Sequence, residues 1–319
     1  MTEQIAGGPT QAPDVATDPL LTGPVERVVT PTPAGTKTRR RRSAPRGLPW
    51  VATGWLVILA AMAIFGPLFT PFTPEEGSLG AALLAPGAID SDGARHLLGT
   101  DGTGRDILML LLYGARISSL VGLVGVAIAC VVGTTVGLIA GVMGGYVDSI
   151  LMRLVDIVLS IPSILLAILV AATMDPSIVT VFLVVGLLLW PNYARLVRGE
   201  VLVIRESDYV KLARVAGCST STIMRRHVLP NVVPSILVLA TLQVGVAIIL
   251  ESSLSFLGIG LPPTSASWGG LISQGLPTLS IAWWVSVIPG VVIFLTVFAC
   301  NAMGDWARVH FDPRLEATS

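Results

Sequence analysis

Six stretches of this chain are long enough and apolar enough to cross a lipid bilayer, and the segments between them hold nearly all of its charge. Five stand out, at residues 51–70, 117–143, 157–174, 178–194 and 232–250. Each is close to or above the roughly 20 residues that a spanning helix needs. A charged side chain costs several kcal/mol at the bilayer centre, so charge-free stretches mark where the chain can cross. The sixth lies at the end of an uncharged tract over residues 252–304. Pro, Ser and Gly up to about residue 280 predict a loop there, leaving residues 283–304 as the last helix. With 53% hydrophobic and 13% charged residues among 319, the chain has more apolar surface than one soluble core can bury. Barrel strands would alternate polar and apolar residues over about ten positions, and none of these stretches does. The expected fold is an all-α integral membrane protein with about six transmembrane helices.

Positive charge near helix ends stays on the cytoplasmic side. With the N-terminus inside, 17 of the 20 Lys and Arg residues fall on inner segments, and only Arg95, Arg105 and Arg116 fall outside. Both termini are therefore expected in the cytoplasm. Trp50, Trp190 and Trp306 then fall at inner helix ends and Trp283 and Trp284 at an outer one, the interfacial depth that indole rings favour.

The net charge of zero argues against a nucleic-acid partner. Cys130, Cys218 and Cys300 are too few and too scattered for a disulfide framework and read as packing residues. The first apolar stretch begins near residue 50 without a small-residue cleavage pattern, so no cleavable signal is expected. Residues 1–49, rich in Pro, Thr, Gly and Ala, cannot bury enough apolar area to offset their ordering entropy and read as a disordered basic cytoplasmic tail. Within it the run Arg39 to Arg42 reads as a topology determinant or as a site for anionic membrane lipid. The transmembrane domain is expected over 50–310, followed by a short cytoplasmic tail at 311–319.

Gly133, Gly137, Gly141 and Gly145 recur every four residues, and Gly125 and Ala129 extend the stripe backwards. Such a face lets a neighbouring backbone approach closely, which is how helices associate where lipid supplies no hydrophobic drive. Pro162, Pro191 and Pro289 lie within or at the ends of expected helices, and each removes a backbone donor and bends its helix.

The most informative segment is the inner loop at residues 195–231, long, polar and basic where other connections are short. After Asp208, the residues Tyr209, Leu212, Ala213 and Ala216 recur at helical spacing. Gly217 would end that helix, and Ser219 or Thr220 would cap a second one beginning near Ser221. The apolar residues Tyr209, Leu212, Ala213 and Ile223 then need a partner surface to cover them.

Here the chain resembles the inner-membrane permeases of bacterial ABC importers, whose signature is Glu-Ala-Ala, three residues, Gly, nine residues, then Ile-x-Leu-Pro. Ala213, Gly217, Leu229 and Pro230 match it, while Lys211, Leu212 and His227 depart from it. Further segments resemble the dipeptide and oligopeptide branch, and within it the C-type permease. They are His96 to Asp101 with Gly99, then Gly104, Arg105 and Asp106, then Tyr113 to Arg116, the last of these read as part of an outer loop. Met152 and Arg153 with Asp156 and Pro162, Arg225 to Asn231, Glu251 with Leu254 to Gly258, Trp268 and Gly269, Asn301 with Gly304 and Asp305, and Asp312 to Arg314 follow in order.

The resemblance implies a multi-pass protein of the bacterial cytoplasmic membrane that forms half of a path for di- or oligopeptides. It implies as partners a second homologous permease, one or two cytoplasmic ATPase subunits docking at the inner loop, and an extracytoplasmic substrate-binding protein. Nickel complexes, haem or another small solute fit the same architecture. The chain is expected not to be an enzyme: neither of its lysines, Lys37 and Lys211, sits in a phosphate-binding loop, so ATP would be hydrolysed by another subunit. No cofactor is expected. A secondary transporter would show ionisable residues near the midplane and more helices, and a membrane-embedded enzyme would show paired carboxylates or histidines at depth. This sequence shows neither pattern.

Asp101, Arg105 and Asp106 read either as a self-satisfied turn or as a contact for the substrate-delivering protein. Asp90 and Asp92 resemble the start of a calcium loop whose later ligands are missing. His96, His227 and His310 are too dispersed for one metal site. Glu251, near the outer end of its helix, must be paired or wetted, and with Ser255 and Phe256 it reads as a structural pair or as part of a gate or translocation path.

Overall fold

The computed structural model describes residues 48–66, 77–262 and 265–311. The tail at 1–47 and residues 312–319 lie outside the described residues. The helices are α1 (Trp50–Phe65), α2 (Ile107–Met143), α3 (Gly145–Ser160), α4 (Ser163–Ala171), α5 (Ile178–Arg205), α6 (Asp208–Val215), α7 (Thr220–Ile223), α8 (Leu229–Phe256), α9 (Trp268–Gly275) and α10 (Trp284–Phe311). Among the described residues there is no strand, only isolated bridges between Ile89 and Arg95 and between Thr100 and Asp106.

Four helical stretches are long and apolar enough to cross a membrane: α2, α5, the run Thr220–Phe256 that ends as α8, and α10. The span expected over residues 157–174 is not one straight helix. α3 and α4 meet at 90°, and together they make a fifth candidate span. Ile161, which precedes Pro162, is extended at φ −87° and ψ 129°. Proline's ring excludes the helical conformation from the residue before it, so the chain turns there. α1 is 16 residues long, and the rest of its expected span, at 67–70, lies outside the described residues.

Two boundaries differ further from expectation. α2 begins ten residues before the charge-free stretch, so Tyr113 to Arg116 are helical rather than part of an outer loop. The polar cap that starts it is Asp106, whose carboxylate accepts from the amide of Met109 at 2.9 Å. The tract read as a loop up to residue 280 contains the end of α8 and all of α9, which Ser267 caps through the amide of Gly270. Pro191 and Pro289 sit inside continuous helices.

The glycine stripe packs α2 against α5, the two running parallel, since partner numbers rise together along both helices. A Cβ built at Gly125 would meet Val185, one at Gly133 the backbone of Trp190, one at Gly137 the carbonyl oxygen of Ala194 at 2.6 Å, and one at Gly141 the side chain of Val201 at 2.7 Å. No side chain fits at this seam. Gly145 does not belong to the stripe: it opens α3 at φ +53°, with nothing within 4 Å of a built Cβ. α3 is tied to α5 by Arg198, whose Nε and Nη2 donate to the two carboxylate oxygens of Asp148 at 2.5 and 2.7 Å, and by an exposed pair between Arg195 and Asp156 at 2.7 Å. The two-bond fork fixes orientation as well as proximity.

One apolar core joins α2, α5 and α8 through Val121, Val184, Tyr193, Val197 and Val232. A second joins α1, α9, α10 and the start of α2 through Leu59, Met109, Trp268, Leu271 and Val285. Tryptophans divide accordingly. Trp50 and Trp283 are exposed, but Trp190 is buried, and Trp284 is buried with its indole N–H donating to the carbonyl of Thr100 at 3.2 Å. These two are core residues rather than interfacial anchors.

Candidate functional site

The bundle has two chemically different ends. One carries α6 and α7; the other carries residues 77–106 and α9.

At the first end, α5 runs on to Arg205, so residues 195–205 continue the helix rather than forming a loop. α6 follows after a short turn. Its termination at Gly217 is local chemistry: the residue sits at φ +81°, where L side chains are strained. Its N–H donates to the carbonyl of Arg214, and the Cys218 N–H donates to that of Ala213, both at 3.1 Å. These paired bonds cap the last carbonyls of α6. Ser219 caps α7 through the amide of Thr222 at 3.3 Å.

On this end Asp208, Tyr209 and Leu212 are exposed, Ala213 and Leu229 half-buried, and Pro230 exposed. Ile223 is only 7% exposed and belongs to the core, together with Val210 and Val228, so it does not offer a free apolar face. The reason is geometric. α7 is a single turn, and it presents Ile223 inward to seat α6 on the bundle. Ala213 also packs against that core. The residue missing from the expected set is Val215, the most exposed of the group at 87%, with Leu212 at 68%. Tyr209, Leu212 and Val215 follow each other at three-residue spacing along α6, a signal present in the sequence. Around this row, Lys211 pairs with Glu206 at 3.6 Å, and the ring of Tyr209 lies 6.0 Å from that of His227.

At the opposite end, the Asp101 carboxylate accepts from the amides of Thr103 and Arg105 at 2.8 and 2.9 Å, from the Thr103 hydroxyl at 2.7 Å and from Arg105 Nε at 2.8 Å. Arg105 Nη2 then donates to Gln274 of α9 at 2.7 Å. Gly99 and Gly104 sit at φ +80° and +78°. Of the expected outer residues, Gly99, Asp101, Gly104, Arg105 and Asp106 thus meet in one closed turn. His96, which opens the motif His96 to Asp101 but was given no role in the turn, joins them: its Nδ1 lies 2.8 Å from Asp106 and its Nε2 lies 3.4 Å from Asp90. Asp90 accepts amide bonds from Asp92 and Ala94. The Ala94 amide, with the other donors around it, holds its carboxyl below the usual carboxylate range. No group of three or more His, Cys, Asp or Glu among the described residues is placed to hold a metal.

Glu251 is fully buried. The hydroxyl of Ser118 on α2 donates to one carboxylate oxygen at 3.1 Å, as does that of Ser252 at 3.4 Å, while Ser255 donates to the other at 2.8 Å. Ser255 is buried with it, and only Phe256 reaches the surface. α8 then ends at Gly258, φ +76°, with the same paired capping bonds seen at Gly217: Gly258 to Ser255 and Ile259 to Leu254, both at 3.1 Å. Glu251→Leu is expected to lower the thermal unfolding temperature in detergent more than Glu251→Gln does. Leu strands buried hydroxyls at about 1–3 kcal/mol, whereas Gln still accepts. Equal stability of the two variants would show that the serines find other acceptors.

Residues 133–317 match the family described as binding-protein-dependent transport system inner membrane component, and the chain belongs to that family. It is a multi-pass inner-membrane permease subunit of an ABC importer. It is 43% identical over 279 residues to the dipeptide transport system permease protein DppC of Escherichia coli K12, covering 87% of this chain and 91% of that one. To a putative peptide transport system permease protein of Brucella suis biovar 1 it is 38% identical over 277 residues, covering 87% and 90%. The fold also matches a chain of the MetNI methionine ABC transporter in inward-facing conformations, at TM-score 0.51 and 19% identity, over 62% of this chain and 96% of that one.

Proposed function

We propose that this permease forms half of a translocation path for di- or oligopeptides, pairs with a second homologous permease, and is driven by one or two cytoplasmic ATPase subunits that dock on α6. The observation that carries the coupling step is the row Tyr209, Leu212 and Val215, exposed on a helix whose other face is locked into the core by Val210. A rigid lever with an uncovered apolar face needs a partner to cover it. In this reading both termini and α6 are cytoplasmic, α1 completes a sixth span, and the turn built on Asp101 and Arg105 faces the extracytoplasmic binding protein. Exposed apolar side chains on α4 and α8, including Leu165, Leu169, Leu237 and Ile249, would face the path or the second permease. Glu251 fixes Ser255 and so positions Phe256 at the mouth of that path. The peptide assignment rests on the relatives' names.

The test is the complete transporter in proteoliposomes with its binding protein. Dipeptides or short oligopeptides are expected to stimulate ATP hydrolysis and to accumulate inside. Stimulation by a nickel complex or haem, with no response to peptides, would replace the substrate assignment while leaving the permease role in place.

A further inference from the structure

We propose that a groove between α1, α2, α8 and α10 is a binding site for an anionic phospholipid, with an acyl chain in the groove and the headgroup phosphate on Arg116. The groove holds about 600 Å³ and is walled by apolar side chains, among them Leu59, Leu120, Leu123, Val244 and Ile248. Arg116 is the charged residue in that lining. It is exposed and makes no ion pair or hydrogen bond among the described residues, unlike Arg105, Arg195 and Arg198, each of which has a carboxylate. It is the tenth residue of α2, about 14 Å from the helix start, and the next charged residue along the chain is Asp148. Arg116 therefore stands where the charge-free part of a spanning helix begins, at headgroup depth.

A guanidinium at that depth, above an apolar slot, selects a ligand that is anionic at one end and apolar at the other. A phosphodiester accepts two parallel N–H bonds from the guanidinium fork. The groove runs about 12 Å along α1, from Leu56 to Ile64, between apolar walls, so an acyl chain laid along it is removed from contact with water while the phosphate stays at Arg116.

The test is native mass spectrometry of the complete detergent-solubilised transporter, equilibrated with equal amounts of phosphatidylglycerol and phosphatidylcholine. The wild type is expected to retain phosphatidylglycerol about fivefold or more over phosphatidylcholine, the factor one arginine contributes at an anionic headgroup. Arg116→Gln is expected to lose that preference, and Leu123→Trp, which fills the slot, is expected to retain less of both lipids. Equal retention by the wild type overturns the proposal. So does a preference that survives Arg116→Gln, or unchanged retention in an intact Leu123→Trp transporter, which decides the matter if Arg116→Gln does not assemble. A disulfide between Leu120→Cys and a cysteine on the second permease would show that a protein helix occupies the groove, and would also overturn it.

Discussion

Gly137→Leu is expected to abolish recovery of folded permease from membranes, while Gly199→Ala leaves yield and thermal stability unchanged. At Gly137 a Cβ would already lie 2.6 Å from the Ala194 carbonyl oxygen and 2.8 Å from the Val197 Cβ. Those atoms are backbone or the base of a side chain, so they cannot swing aside. A leucine forces α2 and α5 apart over the length from Gly125 to Gly141, and every close contact along the seam weakens together. Overpacking of this kind costs about 3 kcal/mol or more where the backbone itself must move. In lipid, close packing is the main attraction between helices, so nothing replaces what is lost. Gly199, two residues beyond Val197 on α5, has nothing within 4 Å of a built Cβ, and it controls for loss of glycine as such. Monodisperse yield after solubilisation and the unfolding temperature are the measurements. A wild-type yield for Gly137→Leu would show that the seam does not hold the bundle together.

That seam was legible in the sequence because a four-residue period of glycines has few uses in an apolar helix other than close approach. Gly145 shares the period but opens α3 instead, since spacing alone does not reveal where a helix stops. The break at Pro162 was legible as a bend but not as a right angle, because the angle depends on where α4 finds partners in α5 and α8. α9 was hidden inside an uncharged, glycine-containing tract, and only its Ser267 cap ahead of Trp268 and Gly269 marked it. The two helix ends at the α6–α7 turn were read correctly, whereas the caps at Asp106 and Ser267 were not. Gly217 and Ser219 act through bonds to their own neighbours, which sequence order specifies. Burial was not readable in the same way: Ile223 and Leu212 are equally apolar, and only the packing of a one-turn helix against the bundle sends the first inward and leaves the second exposed. His96 illustrates the same limit, because its partners Asp90 and Asp106 lie in an irregular loop where periodicity carries no information.

Leu212→Asp and Val215→Asp are expected to leave the permease folded and inserted while separating ATP hydrolysis from peptide uptake. Both side chains are mostly exposed, so neither substitution opens a cavity, and a surface change of this kind moves stability by only about 0.5 kcal/mol. Ala213 is a poorer probe of the same idea because it packs against the core, and Ala213→Asp would strain the fold as well as the docking face. If the row Tyr209, Leu212 and Val215 is covered by an ATPase subunit, an aspartate there buries an unpaired charge at the centre of the contact. Losses at such positions are typically about 2–4 kcal/mol, or roughly 30- to 700-fold in affinity. The competing surface is the membrane, on which an amphipathic helix can also lie. The two are separable. Docking on a protein predicts that the ATPase subunits no longer co-purify with either variant and that peptide stimulation of hydrolysis disappears. Docking on lipid predicts intact co-purification, with activity that varies with the anionic lipid content of the vesicle. Normal co-purification and normal coupled uptake in both variants would mean that α6 is not the coupling element.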